Sequence, residues 1–377
     1  MRANYIEVTT KQMFLRVLVE YKGRYVKRFA FQNLDLKKIV CDDSLLPRGF
    51  EDCIFLGCTM TRGILERLDS DCAVFSRLDV PYNVFRSELY SAMSLYSGYF
   101  ASEPDTFETC FDTMVYKHYI AKGKVTDNIK EQLARSIHDH SIKWAMQEFL
   151  SRFDERRVIG IMGGHGLLRT DDVYRQVVYM SKLLTERGFL MVSGGGPGAM
   201  EATHLGAWMA GKDDAAVEDA LAILKTAPSF NDDKWLQTAM AVVQKYPDTT
   251  YCSLGVPTWL YGHEPATPLA THIAKFFDNS MREDGILTVA KGGIIFTPGS
   301  AGTMQEIFQD AVQNHYLSFG YASPMIFWGK EFWLKELPVY KLLEYLVEKG
   351  RYKNLPLTLT DSVDDVINVL EEFVVKI

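Results

Sequence analysis

Three times in this 377-residue chain a short apolar run ends in a glycine-rich turn and a helix follows, and that recurrence narrows the possible folds more than any other feature. Arg157-Val-Ile-Gly-Ile-Met162 leads into Gly163-Gly-His-Gly166. Phe189-Leu-Met-Val192 leads into Ser193-Gly-Gly-Gly-Pro-Gly198. Gly293-Ile-Ile-Phe296 leads into Thr297-Pro-Gly-Ser-Ala-Gly-Thr-Met-Gln-Glu306. Apolar runs without polar alternation suit strands buried on both faces, as in a parallel sheet covered by helical crossovers. Between the first two runs, residues 173–187 carry Val177, Val178, Met180, Leu183 and Leu184 at helical spacing, closed by Gly188. Further strands are expected at 250–254 and 324–328. The expected fold class is therefore α/β, a doubly wound (Rossmann-like) parallel sheet with an additional N-terminal α/β domain. Ligands in such sheets bind at the strand carboxyl ends, where all three turns fall.

The rest of the chain organises around this part. Residues 1–125 read as an accessory domain, 126–155 as a helical connector, and 156–377 as the catalytic domain, with a helical insertion at 211–249 made of helices at 214–225 and 232–245. In the first half, 12–20 and 24–32 suit a hairpin about Tyr21-Lys-Gly23. Cys53-Ile-Phe-Leu-Gly-Cys58 suits a buried strand, and no catalytic constellation emerges. His138 and His140 on the connector read as surface residues rather than metal ligands. Six cysteines without a CxxC pair or zinc spacing imply reduced thiols, mostly buried. No apolar run approaches the ~18 residues of a membrane span, and the polar start does not read as a signal peptide. A cytoplasmic protein without a membrane partner is the expectation. The net charge of −7 argues against a nucleic-acid partner, which needs clustered Lys and Arg.

The turn at 297–306 suits an anion: glycines admit close approach, free N–H groups mark the helix start, and hydroxyls stand ready to donate. Glu306 is the awkward member, because a carboxylate repels a bound phosphate. Read alone, it completes a capping box with Thr303 and complements the helix dipole. Arg282, in Met281-Arg-Glu-Asp284, reads alone as a surface ion-pair partner. Glu201 reads as a dipole-complementing acid, and His165 as a cap of its own turn.

Taken together, Gly194-Gly-Gly-Pro-Gly-Ala-Met-Glu-Ala202, Ser280-Met-Arg282 and Pro298-Gly-Ser-Ala-Gly-Thr-Met-Gln-Glu306 resemble the signatures of the LOG family, long labelled lysine decarboxylases. The resemblance spans roughly 156–345. With Gly163-Gly-His165 and Glu264-Pro-Ala-Thr-Pro268, it is nearest to the larger bacterial nucleotide 5′-monophosphate nucleosidases. The family motif is Pro-Gly-Gly-x-Gly-Thr-x-x-Glu. Ser300 departs from its second glycine, at a cost if that position needs φ > 0, and Gln305 replaces a common acid.

The resemblance implies hydrolysis of the N-glycosidic bond of nucleoside 5′-monophosphates to free base and ribose 5-phosphate, without metal or cofactor. It assigns Glu306 and Arg282 to catalysis. Gly299, Ser300, Gly302 and Thr303 would hold the phosphate, facing Gly195, Gly196 and Gly198, while Gly163 and Gly164 leave room for sugar or base. Met200 and Glu201 are possible further contacts. A homo-oligomer, dimer or larger, is expected from the same source. The alternative is a non-hydrolysing nucleotide-binding sensor or carrier of the same fold. A nicotinamide-dependent oxidoreductase lacks its fingerprint here, and a decarboxylase lacks an identifiable pyridoxal-binding lysine.

Overall fold

The computed structural model describes residues 5–40, 42–247, 249–262 and 264–375. The chain forms two compact units, one from Met1–Ser87 with Thr126–Ser141 and one from Glu88–Val125 with Ile142–Ile377. Residues 88–125, expected in the accessory domain, thus cluster with the second unit, and the expected connector is shared between the units.

The first unit runs β1 (Ile6–Val8), α1 (Lys11–Glu20), β2 (Tyr25–Lys27), β3 (Phe29–Gln32), α2 (Leu36–Ile39), β4 (Gly49–Glu51), β5 (Ile54–Leu56), α3 (Arg62–Leu65) and β6 (Ala73–Phe75). Two all-parallel ladders result, β1-β3-β5-β6 and β2-β4. Each strand pairs with its counterpart one coil later: Val8 with Phe31, Phe31 with Phe55, Phe55 with Val74. This is the stacking of a short parallel solenoid, in which each coil buries its apolar face against the next. Phe31 and Phe55 stack at 4.8 Å, and Phe14 and Phe50 meet Phe31 edge-on at 5.4 and 5.8 Å.

The hairpin expected at 12–32 does not form. Thr10 accepts the Met13 N–H and starts a helix, with Phe14, Val17 and Leu18 turned to the core at i, i+3 and i+4. Residues 24–32 split at Arg28, whose φ of 59° turns the chain from one ladder to the other. The surface reading of His138 is also corrected. On α6 (Ile129–Leu150) its ring is fully buried, 2.9 Å from Asp139 Oδ1 and edge-on to Tyr82. Burial outweighs the Asp139 carboxylate and lowers its pKa. His140 is exposed, as expected.

The second unit opens with α4 (Ala92–Leu95) and α5 (Phe111–Ala121). After α6 come β7 (Val158–Met162), α7 (Asp172–Glu186), β8 (Leu190–Ser193), α8 (Ala199–Trp208), α9 (Asp214–Leu224), α10 (Trp235–Lys245), β9 (Ser253–Gly255) and β10 (His272–Ile273). The chain then continues through α11 (Asn279–Val289), β11 (Gly293–Phe296), α12 (Ala301–His315), β12 (Met325–Trp328), α13 (Val339–Glu348), β13 (Leu357–Thr360) and α14 (Val363–Val375). The seven strands are parallel in the order β10-β9-β8-β7-β11-β12-β13, a doubly wound α/β sheet. The chain starts at the centre, winds outward to β10, then returns to β11 and winds the other way. Its switch point therefore lies between β7 and β11, where such sheets bind ligands. On the β10 edge, Tyr90 exchanges backbone bonds of 2.9 and 2.8 Å with Ile273.

The insertion forms its two expected helices, α9 and α10. What fixes it is Arg169, a buried residue. Its guanidinium pairs with both Glu201 oxygens, Nε–Oε2 at 2.8 Å and Nη2–Oε1 at 2.5 Å. It also donates to Ala227 O at 3.0 Å, Thr238 Oγ1 at 2.8 Å and Trp235 O at 3.2 Å, and lies 4.7 Å from the Trp235 ring centroid. Among the described residues no helix is long and apolar enough to cross a membrane, and the five described cysteines are free thiols, with Cys53, Cys58 and Cys110 buried. Cys41 lies outside the described residues.

Candidate functional site

The three glycine-rich turns meet through one residue, Gly164, which bonds one neighbour through its N–H and the other through its carbonyl. The Gly164 N–H donates to Pro298 O at 3.1 Å, and the Gly164 carbonyl accepts from the Ala199 N–H at 3.2 Å. Gly198, which caps α8, has φ of 69°, and a Cβ there would come within 2.3 Å of Gly164 O. Only glycine meets both conditions. The convergence expected from the three motifs is thus made by hydrogen bonds at the ends of β7, β8 and β11.

Between the turns lies a cavity of about 290 Å³. Gly163, Gly164 and His165 line it from the first turn, Gly194 and Met200 from the second. Ser300 to Thr303 and Glu306 line it from the third, and Arg282, Glu283, Tyr261 and Glu264 complete the wall. Gly195, Gly196, Gly198 and Gly299 do not line it. They shape it instead: Gly195 packs on Pro257 and Gly255, and Gly299 on the Thr303 side chain. Glu201 is not at the site either, being fully buried against Arg169 and accepting from Tyr174 Oη at 2.9 Å. Met162, His165, Gly194, Tyr261, Glu264, Glu283 and Ala301 are lining residues that sequence reasoning did not assign. His165, Gly194, Glu264 and Ala301 stood inside the quoted motifs, whereas Tyr261 carried no signal.

Helix α12 begins at Ala301 with Ser300 as its N-cap. The N–H groups of its first turn have no intrahelical acceptor and face the cavity end, an arrangement suited to an anion. Ser300 has φ of −120°, so serine in place of the family glycine strains nothing there. Its exposed hydroxyl makes no capping bond. Thr303 is the third residue of the helix rather than its cap, which leaves Glu306 in the second turn. The capping-box reading of Glu306 is thereby removed, and no acid stands in the first turn.

Glu306 is half-buried, and neither a hydrogen bond nor an ion pair engages its carboxyl among the described residues. Burial raises its pKa to about 7, Arg282 pulling it down by less and Glu283 adding to the rise. Arg282, on α11, is 14% exposed, and its Nε donates to Val256 O at 3.2 Å. A Cβ on Gly194 would come within 2.6 Å of Arg282 Nη2, so that glycine makes room for the guanidinium. Glu283 is taken up by Asn279 Nδ2 at 2.6 Å and Gln305 Nε2 at 2.9 Å. The site thus brings together a helix start suited to an anion, an arginine, and a carboxyl whose pKa burial raises to about 7.

No protein-family model matches the chain, and no curated protein matches it. Among solved structures, it is similar to the molybdenum cofactor binding protein from the phototrophic bacterium Rippkaea orientalis, at 14% identity and a TM-score of 0.36, over 58% of this chain and 96% of that one. It is similar to the Chlamydomonas rheinhardtii Moco carrier protein at 15% identity and a TM-score of 0.35, over 58% and 98%. It is also similar to TM1055, at 16% identity and a TM-score of 0.36, over 57% and 98%.

Proposed function

We propose that this protein hydrolyses the N-glycosidic bond of nucleoside 5′-monophosphates, releasing the base and ribose 5-phosphate. The observation that carries the reading is the Glu306 carboxyl, set without a hydrogen-bond or ion-pair partner among the described residues, in the second turn of the helix whose start suits an anion. A phosphate at Ser300 to Thr303 leaves the sugar extending toward that carboxyl. Breaking the glycosidic bond builds positive charge on the ribose, which an ionised Glu306 stabilises while it orients water. Arg282 keeps a fraction of Glu306 ionised at neutral pH and supplies donors to the ligand.

The test is release of ribose 5-phosphate from a panel of nucleoside monophosphates by the purified protein. Turnover of at least one supports the reading. Tight binding of several with turnover of none replaces it with a non-hydrolysing sensor or carrier. That is the competing reading, and two of the three solved structures named above bind or carry a cofactor.

The cradle has its own test. Ser300→Gly is expected to weaken ribose 5-phosphate binding about tenfold in calorimetric titration, the loss of one hydrogen bond to a charged group. Thermal stability should change by only a few tenths of a kcal/mol, roughly the cost of glycine at an N-cap. Unchanged affinity would remove Ser300 from the phosphate site.

A further inference from the structure

We infer that Glu264 reads the ligand, its carboxylate accepting hydrogen bonds from an adjacent pair of donors on the bound nucleotide. The donors are vicinal ribose hydroxyls or the N–H edge of the base, one chemistry from two parts of one molecule. This rests on the nucleotide reading given above.

Glu264 stands between β9 and β10, where the described residues of 256–268 form no helix or strand but are tied down on two sides. The Val256 N–H donates to Ser193 O at 2.9 Å and the Thr267 N–H to Gly195 O at 2.8 Å, tying the stretch to the second glycine-rich turn. From the other side, Tyr96 Oη donates to Ala266 O, and the Tyr116 ring packs on Gly262. Fully buried Trp259 donates its Nε1 to Asp112 at 2.9 Å, and Lys275 Nζ bridges both Asp112 oxygens at 2.7 and 2.8 Å. The 88–125 segment therefore braces one wall of the cavity.

That wall aims a carboxylate into the cavity. Glu264 is 19% exposed, Oε1 lies 3.9 Å from His165 Nε2, and Oε2 lies 3.9 Å from where a Gly196 Cβ would stand. Glu264 lines the cavity beside His165, Tyr261 and Glu306. A carboxylate carries two acceptor oxygens side by side, which suits paired donors and turns a group that repels phosphate into a selective one.

The experiment measures equilibrium binding in the Glu306→Gln protein, where turnover does not interfere, with and without Glu264→Gln. The probes are inorganic phosphate, ribose 5-phosphate, AMP, GMP and 2′-deoxy-AMP, with thermal midpoints checked to confirm folding. Glu264→Gln should weaken at least one ribonucleotide by about 10- to 100-fold and leave inorganic phosphate unchanged. A loss shared by ribose 5-phosphate and AMP but absent for 2′-deoxy-AMP assigns the sugar hydroxyls. A loss confined to GMP assigns the base edge. Equal affinities with and without Glu264→Gln, or a parallel loss of phosphate binding, overturn the inference. Failure of the Glu306→Gln parent to bind any nucleotide overturns the nucleotide reading itself.

Discussion

Glu306→Gln is expected to lower nucleotide turnover on the order of 10³-fold while leaving nucleotide binding within a few-fold of wild type or tightening it. The amide keeps the shape of the side chain and loses the negative charge, which is what a developing oxocarbenium ion needs and a bound phosphate does not. The pH dependence follows from the same group. With a pKa of about 7 in the folded protein, Glu306 ionises across neutrality, so wild-type turnover should rise through pH 7. The residual activity of Glu306→Gln should lack that limb.

Stability moves the opposite way. A carboxyl whose folded pKa is raised from 4.5 to about 7 contributes most below 4.5, and its contribution is lost as pH rises through 7. Buried Asp310, one turn further along α12 and raised to about 8, has the same sign. Comparing wild type with Glu306→Gln cancels the Asp310 effect and isolates that of Glu306. A variant as active as wild type, with the same pH profile, would end the proposed mechanism.

The second large effect is structural. Glu201→Ala should destabilise the protein by about 3–5 kcal/mol, the usual result of stripping the partner from a buried charge. Arg169 would remain buried with two of its donors directed at nothing. Because the same guanidinium bonds Ala227, Thr238 and Trp235, the loss should loosen α9 and α10 before the sheet. Hydrogen exchange would show this as early opening of 214–245. The double change Arg169→Met with Glu201→Leu should recover much of the loss, since it removes both charges together. A cost under about 1 kcal/mol for Glu201→Ala would mean that water reaches the pair.

The sheet and its crevice were legible because the signal is local. Gly163-Gly-His165, Gly194 to Gly198 and Pro298 to Thr303 each announce a strand end and a helix start within ten residues. The parallel register then leaves the turns nowhere to go but together. The first unit was not legible for the converse reason. Its strands are three or four residues long, its coils differ in length, and the Phe31–Phe55 stack that defines it depends on pairing far along the chain. Residues 12–20 carry β-branched and apolar side chains that suit a strand, and only the Thr10 cap and the placement of Phe14, Val17 and Leu18 choose the helix. At the site, Glu306 and Arg282 stood within recognisable motifs, whereas Tyr261 and Glu264 come from an irregular stretch. Glu201 misled because an acid in the first turn of a helix looks the same whether it faces a ligand or a buried arginine.

The crossing of the chain between its two units bears on how such a protein can be taken apart. Glu88–Val125 belongs with the later sheet although Thr126–Ser141 returns to the earlier coils, so neither unit is a contiguous cassette. A fragment starting at residue 156 would carry Lys275 and Trp259 but not Asp112, leaving an ammonium group in an apolar setting with its counter-ion cut away. A single junction in the chain therefore cannot separate one unit from the other, and an engineered exchange of either needs more than one cut.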